Sequence, residues 1–199
     1  REKLMKVVRE EKLDAFITQR ILKPLGMGDT YFYLPKEKAD RLVTLYSSSS
    51  NGLVINSNTS YQTYPVAGAQ MFLSGGAGLC GPIGDYAKFC QMMLNKGTFN
   101  NKKILSRKTV DLMTTTQLGD KNMGRNGNKF GLGFELFGDQ QAAHHLGSKG
   151  SFKWGGMYYT DYLIDPSENL IMLIYTNVQP YRGPNVHELF QNLVYQALE

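Results

Sequence analysis

The chain is poor in cysteine and histidine and has no long hydrophobic run. Its two cysteines among 199 residues, Cys80 and Cys90, form neither a disulfide framework nor a CxxC pair. Each sits among apolar neighbours, so both are expected as buried free thiols. The three histidines, His144, His145 and His187, lack metal-ligand spacing and have no cysteine or carboxylate cluster beside them. A zinc motif is thereby excluded, and neither a metal nor any other cofactor is expected. The longest apolar candidate, Leu170-Ile171-Met172-Leu173-Ile174, falls far short of the roughly 18 to 20 residues that cross a bilayer, so no membrane-spanning segment is expected. An apolar h-region is also missing from the opening, which starts at Arg1 with a charged amphipathic stretch. No signal peptide is read there, and the true N-terminus is expected upstream.

Acidic residues are outnumbered, 17 against 22 basic, for a net charge of +5. The excess is local: Lys88 to Lys129 holds nine basic and two acidic residues, and the rest of the chain carries a net −2. These cations are spread over a helix and polar loops without interleaved aromatics, which reads as a solvated face and not as a nucleic-acid surface. Gly75-Gly76-Ala77-Gly78 matches neither GxGxxG nor GxxxxGK[ST] and lacks a βαβ context, which excludes nucleotide binding. What remains is an ordinary globular mixture, 42% hydrophobic and 12% aromatic, long enough for a domain or a domain and a half.

Periodicity supplies the elements. Leu4, Val7, Val8, Leu13, Phe16, Ile17 and Ile21 recur at helical steps until Lys23-Pro24-Leu25-Gly26, where proline removes a donor and glycine accepts left-handed dihedrals. The polar stretch 47–63 is loop or hairpin material. Ile83 to Leu94 is expected as an amphipathic helix with Pro82 at its start and Asn95-Lys96-Gly97 at its end, and Ser106 as the cap of a second helix through Val110, Leu112 and Met113. Phe130, Leu132, Phe134 and Leu136 alternate as one strand. The stretches 153–164 and 170–176, joined by Asp165-Pro166-Ser167-Glu168-Asn169, make an antiparallel hairpin. Gly183-Pro184 starts a terminal helix with Val186, Leu189, Phe190, Leu193, Val194 and Ala197 on one face. Helices, then strands, then a helix give an α+β fold.

A nucleophilic serine needs a base within reach, and no serine in the chain has a lysine three positions on; GxSxG is absent as well. Ser49-Ser50-Asn51 and Tyr175-Thr176-Asn177 match SxN and YxN by chance, the first in a low-complexity loop and the second at the end of an apolar strand.

Several segments in one order nevertheless carry a resemblance. The stretch from Phe16 through Pro24-Leu25-Gly26-Met27-Gly28-Asp29-Thr30 resembles the helix-to-PLGM-x-DT segment of the serine β-lactamase-like superfamily, which includes class C β-lactamases, DD-peptidases and family VIII carboxylesterases. Ser74-Gly75-Gly76-Ala77-Gly78-Leu79 with Asp85-Tyr86-Ala87-Lys88-Phe89 resembles its GGAGL…DYAKF segment. Met93-Leu94-Asn95-Lys96-Gly97, Lys103-Ile104-Leu105-Ser106 and Phe130-Gly131-Leu132-Gly133-Phe134 follow in the same order. Trp154-Gly155-Gly156, followed by Thr160 and Ile164-Asp165-Pro166, is similar to the W-G-G that family VIII esterases carry where relatives have K-T-G or H-x-G. An offset K-x-G at Lys153-Trp154-Gly155 fits the downstream spacing worse.

The resemblance implies that the fold is the C-terminal portion of the β-lactamase/DD-peptidase-like fold: residues 1–120 part of the helical subdomain, 128–199 antiparallel strands plus the C-terminal helix. It implies that Trp154, Gly155, Gly156 and Met157 edge a catalytic cleft, with the Met157 N–H an oxyanion donor. The SxxK and YxN segments are expected upstream, so the chain alone is expected to be inactive, one part of an enzyme of ester, β-lactam or D-Ala-peptide acyl transfer. The other reading is a non-catalytic peptide- or glycan-binding module of the same fold. A small-molecule or peptide substrate is expected for the intact protein, in an extracytoplasmic compartment. An uncovered side of the sheet is expected to meet the missing N-terminal segment or a second copy. The neutral Trp154 leans towards esters, since a cationic K-T-G suits the carboxylate of a lactam or peptide; Lys149 and Lys153 stand close in sequence.

Overall fold

The computed structural model describes residues 12–67, 72–123, 127–139 and 146–198. The first amphipathic repeat, Leu4 to Val8, and the pair His144-His145 lie outside them. Chain contacts divide the molecule into two units, one formed by residues up to Phe89 with Met157–Tyr159 and Thr176–Arg182, the other by Cys90–Gly156, Thr160–Tyr175 and the chain from Gly183 onward.

In the first unit, helix α1 (Leu13–Ile17) widens into a π-helical turn (Thr18–Leu22) before α2 (Lys23–Leu25). The wide turn precedes Pro24, which has no N–H to offer the carbonyl four residues back. Gly26, at φ 68°, then ends the helix in the left-handed region. Leu13, Phe32 and Leu73 form a buried cluster with Ile17 and Tyr33 against it. Buried Asp85 accepts hydrogen bonds from Asp29 N at 2.9 Å, Thr30 Oγ1 at 3.1 Å and Lys88 Nζ at 2.8 Å, tying the Asp29-Thr30 turn to the start of a helix. The polar stretch 47–63 contains the expected hairpin, β1 (Tyr46–Ser49) and β2 (Gly52–Ile55). It also contains an unexpected helix, α3 (Thr59–Ala67), which buries no residue. An apolar periodicity therefore could not announce it; the signal is Asn58, whose Oδ1 accepts the Tyr61 N–H at 3.3 Å. Tyr158 stands 6.2 Å from Tyr61 between ring centroids, and Tyr159 stacks on Tyr181 at 4.2 Å.

Helix α4 (Ile83–Leu94) has the expected bounds and ends where Gly97, at φ 96°, returns its N–H to Met92 O. In the second unit a short hairpin of β3 (Thr98–Phe99) and β4 (Lys102–Lys103) leads to α5 (Arg107–Met113), where Ser106 Oγ accepts the Thr109 N–H at 3.0 Å. The expected single strand 130–136 is instead two, β5 (Lys129–Phe130) and β6 (Glu135–Leu136), paired across a tight turn. The cause is local crowding: a Cβ on Gly131 would lie 2.0 Å from Met113 O, and Gly131 N–H bonds to Phe134 O at 2.8 Å.

β7 (Phe152–Gly155), β8 (Thr160–Asp165) and β9 (Leu170–Tyr175) complete a five-stranded antiparallel sheet in the order β5-β6-β7-β8-β9. The terminal helix α6 (Val186–Gln196) is capped by Asn185, whose Oδ1 accepts the Glu188 N–H at 3.3 Å. Its Phe190, Val194 and Tyr195 pack on Phe137, just past β6, and on Leu163 and Met172 of the sheet. The fold is thus α+β, with an antiparallel sheet and a terminal helix. Cys90 is fully buried and Cys80 half-buried, and both are free.

Candidate active-site strand

β7 has unequal flanks. Its first half, Phe152 and Lys153, pairs with β6 on one side and β8 on the other, whereas among the described residues Trp154 and Gly155 pair with β8 alone. In an antiparallel ladder successive N–H groups point to opposite sides. Gly156 N–H donates to Thr160 O at 2.8 Å, so the Gly155 N–H faces away from β8, beyond the point where β6 has ended. Among the described residues neither the Gly155 N–H nor that of Met157, the next but one in the chain, has a hydrogen-bond partner. Free N–H groups at a strand edge suit a carbonyl oxygen that gains negative charge.

Period two sorts the side chains. Phe152 and Trp154 share a face: Phe152 meets Phe134 edge-on at 5.1 Å, and Trp154 meets Phe130 edge-on at 5.2 Å, leaving the indole 43% exposed. Lys153 lies on the opposite face, beneath α6, with Nζ 3.4 Å from Asp161 Oδ2. Lys149 pairs with Asp139 at 2.7 Å. Neither lysine thus stands where Trp154 stands. The two glycines have a steric role. A Cβ on Gly155 would lie 3.1 Å from Thr160 O, and one on Gly156 would lie 2.3 Å from Thr160 Oγ1. Met157 follows in the turn, 56% exposed.

Asp161 escaped the sequence reading. It is the register partner of Gly155, is 4% exposed, and accepts a hydrogen bond from Gln191 Nε2 at 2.8 Å. Burial pushes its carboxyl above the usual range, and the charge of Glu135 adds to this; Lys153 and His187 oppose the rise without cancelling it. The available signal was an acid directly before the apolar run Tyr162-Leu163-Ile164. Burial also raises the Tyr158 phenol, with Tyr61 contributing. The described residues contain no group of three or more metal-ligating side chains, and no helix among them is long and apolar enough to cross a membrane.

Comparison with known proteins adds independent information. The family described as Beta-lactamase matches residues 2–196. Protein Rv1367c of Mycobacterium tuberculosis is 30% identical over 177 residues, covering 83% of this chain and 43% of that protein. The structure of simvastatin synthase (LovD) from Aspergillus terreus superposes with a TM-score of 0.79 at 21% identity, over 100% of this chain and 54% of its own. EstCE1, described as a hydrolase with promiscuous acyltransferase activity, gives 0.79 at 22% identity, over 96% and 53%. These structural likenesses establish the fold. The chain spans less than half the length of the curated relative and about half that of the solved structures.

Proposed function

Because the chain belongs to the beta-lactamase family, with a serine-hydrolase fold, we propose that it forms the C-terminal part of a serine acyl-transfer enzyme and contributes one wall of its cleft. A serine elsewhere in the longer protein attacks an acyl carbonyl, the leaving group departs, and water releases the acyl group from the serine. Trp154-Gly155-Gly156-Met157 is the wall, with the Met157 N–H a donor to the developing oxyanion. The observation that carries this reading is the edge of β7 past Lys153, where among the described residues the Gly155 and Met157 N–H groups stand without partners and both glycines keep side chains off the backbone. The neutral Trp154, with Lys153 turned to the other face, favours an uncharged acyl ester over a carboxylate-bearing lactam or peptide.

The 199 residues lack an SxxK serine, so the proposed reaction needs that serine and its base from the preceding segment of the longer protein. On this reading the chain alone is inactive, and its partner is that segment.

The test joins the chain to its natural upstream segment. Turnover of a chromogenic ester and labelling by a fluorophosphonate probe are expected in the joined protein and not in the 199-residue chain. In the joined protein Met157→Pro, which deletes the N–H, lowers kcat by about 100- to 1000-fold. A joined protein that stays unreactive towards both fluorophosphonate and penicillin, yet binds peptidoglycan peptides saturably, would instead establish a binding module.

A further inference from the structure

On the face of the sheet that carries α6 runs a line of charged groups that acyl transfer does not use. Glu135 of β6 stands in register with Lys153 of β7, Lys153 reaches Asp161 of β8, and Gln191 of α6 donates to the same Asp161 oxygen. His187 of α6 acts on that carboxylate electrostatically. Ion pairs buried this deeply can often be replaced by apolar residues with no loss of stability, so holding α6 on the sheet does not by itself call for an acid here. Asp161 is distinguished by its neighbour. It lies opposite Gly155, and a Cβ on that glycine would come 3.4 Å from Asp161 Oδ1. Beyond Lys153, β8 is the only strand that β7 pairs with among the described residues.

We infer that Asp161 is a positioning residue: held from α6 by Gln191 and from β7 by Lys153, its carboxylate fixes the end of β7 and with it the direction of the Gly155 N–H. Gln191 links Asp161 to the terminal helix, 30 residues further along the chain. The significance of the contact for catalysis rests on the function proposed above, but its measurement does not.

Trp154 is the single tryptophan of the chain, so its emission reports on the end of β7 directly. In the 199-residue chain, Asp161→Asn and Gln191→Leu are compared with Asp165→Asn, which alters the other buried carboxylate of β8, bonded to the same helix through Tyr195. The first two variants are expected to red-shift Trp154 emission and to lower hydrogen-exchange protection of the Gly156 amide by about tenfold or more. Asp165→Asn is expected to leave both readouts unchanged, whatever it does to the melting temperature. If Asp161→Asn lowers the melting temperature without moving either readout, or if Asp165→Asn moves them equally, Asp161 is structural only and the inference falls. Should Asp161→Asn fail to fold, Gln191→Leu decides by the same criteria, since it removes one hydrogen bond and leaves the Asp161–Lys153 pair in place. Neither readout involves turnover. An inactive longer protein would overturn the functional reading and leave this one standing; unchanged Trp154 emission and Gly156 protection would do the reverse.

Discussion

Tyr195 donates its phenolic hydrogen to Asp165 Oδ2 at 2.7 Å and so fastens the terminal helix to the far end of β8. Asp165 is fully buried, and it also accepts hydrogen bonds from the N–H groups of Ser148, Ser167 and Glu168. Burial alone would raise this carboxyl, but the bonds from Tyr195, Ser148 and Glu168 outweigh it and hold the group below the usual range. Burial, together with the same contact, pushes the Tyr195 phenol well above its ordinary value.

Removing that phenolic oxygen by Tyr195→Phe is expected to cost about 1.5–3 kcal/mol, the range for a hydrogen bond to a charged partner, read from urea unfolding at neutral pH. An unchanged midpoint would show that the contact contributes nothing.

The acid limb of the stability curve follows from the depressed Asp165. A carboxyl lowered in the folded state contributes fully above its unfolded pKa and loses that contribution as pH falls through the folded one. The stability gap between the native chain and Asp165→Asn is therefore expected to be constant above about pH 5 and to shrink below about pH 4. A gap that widened in acid would contradict the assignment.

Gly131→Ala places a methyl group 2.0 Å from the Met113 carbonyl oxygen, and backbone cannot rotate aside as a side chain can. A loss of about 3 kcal/mol is expected, at the upper end for overpacking, with the midpoint of chemical unfolding as readout. Gly28→Ala, where a Cβ meets nothing within 4 Å, serves as the control.

Ser106→Ala removes the acceptor for the Thr109 N–H at the start of α5 and is expected to cost about 1 kcal/mol. Ser106→Asp should retain the cap, so a loss from both variants alike would point away from capping.

The thiols should separate by accessibility. Cys90 is fully buried and pushed up to about 12 by its burial, while Cys80 is half-buried and raised for the same reason, with Sγ 3.4 Å from Tyr31 O. In native buffer a disulfide reagent is expected to reach Cys80 slowly and Cys90 only as fast as the chain unfolds. Prompt modification of both would overturn the burial of Cys90.

Elements whose signals are local were legible in the sequence. Pro82 and Gly97 mark α4, Ser106 caps α5, and the Asp165–Asn169 turn joins β8 to β9. Two readings depended on information from elsewhere. Alternation at Phe130-Gly131-Leu132 cannot reveal a carbonyl from residue 113, and a helix such as Thr59–Ala67 that buries nothing carries no apolar stripe. The site divides in the same way. Trp154-Gly155-Gly156 stands out as a motif, whereas the hydrogen bond joining Asp161 to Gln191 spans 30 residues and leaves no local trace.

Strand order also has a kinetic meaning. In β5-β6-β7-β8-β9 every strand pairs with its neighbour in the chain, and the β5–β6, β7–β8 and β8–β9 connections are short, so these pairings cost little closure entropy. The β8–β9 hairpin has the longest register, six residue pairs, so it is the natural nucleus from which the sheet zips back towards β5. The half of β7 that among the described residues pairs with β8 alone is then aligned on a ladder already formed.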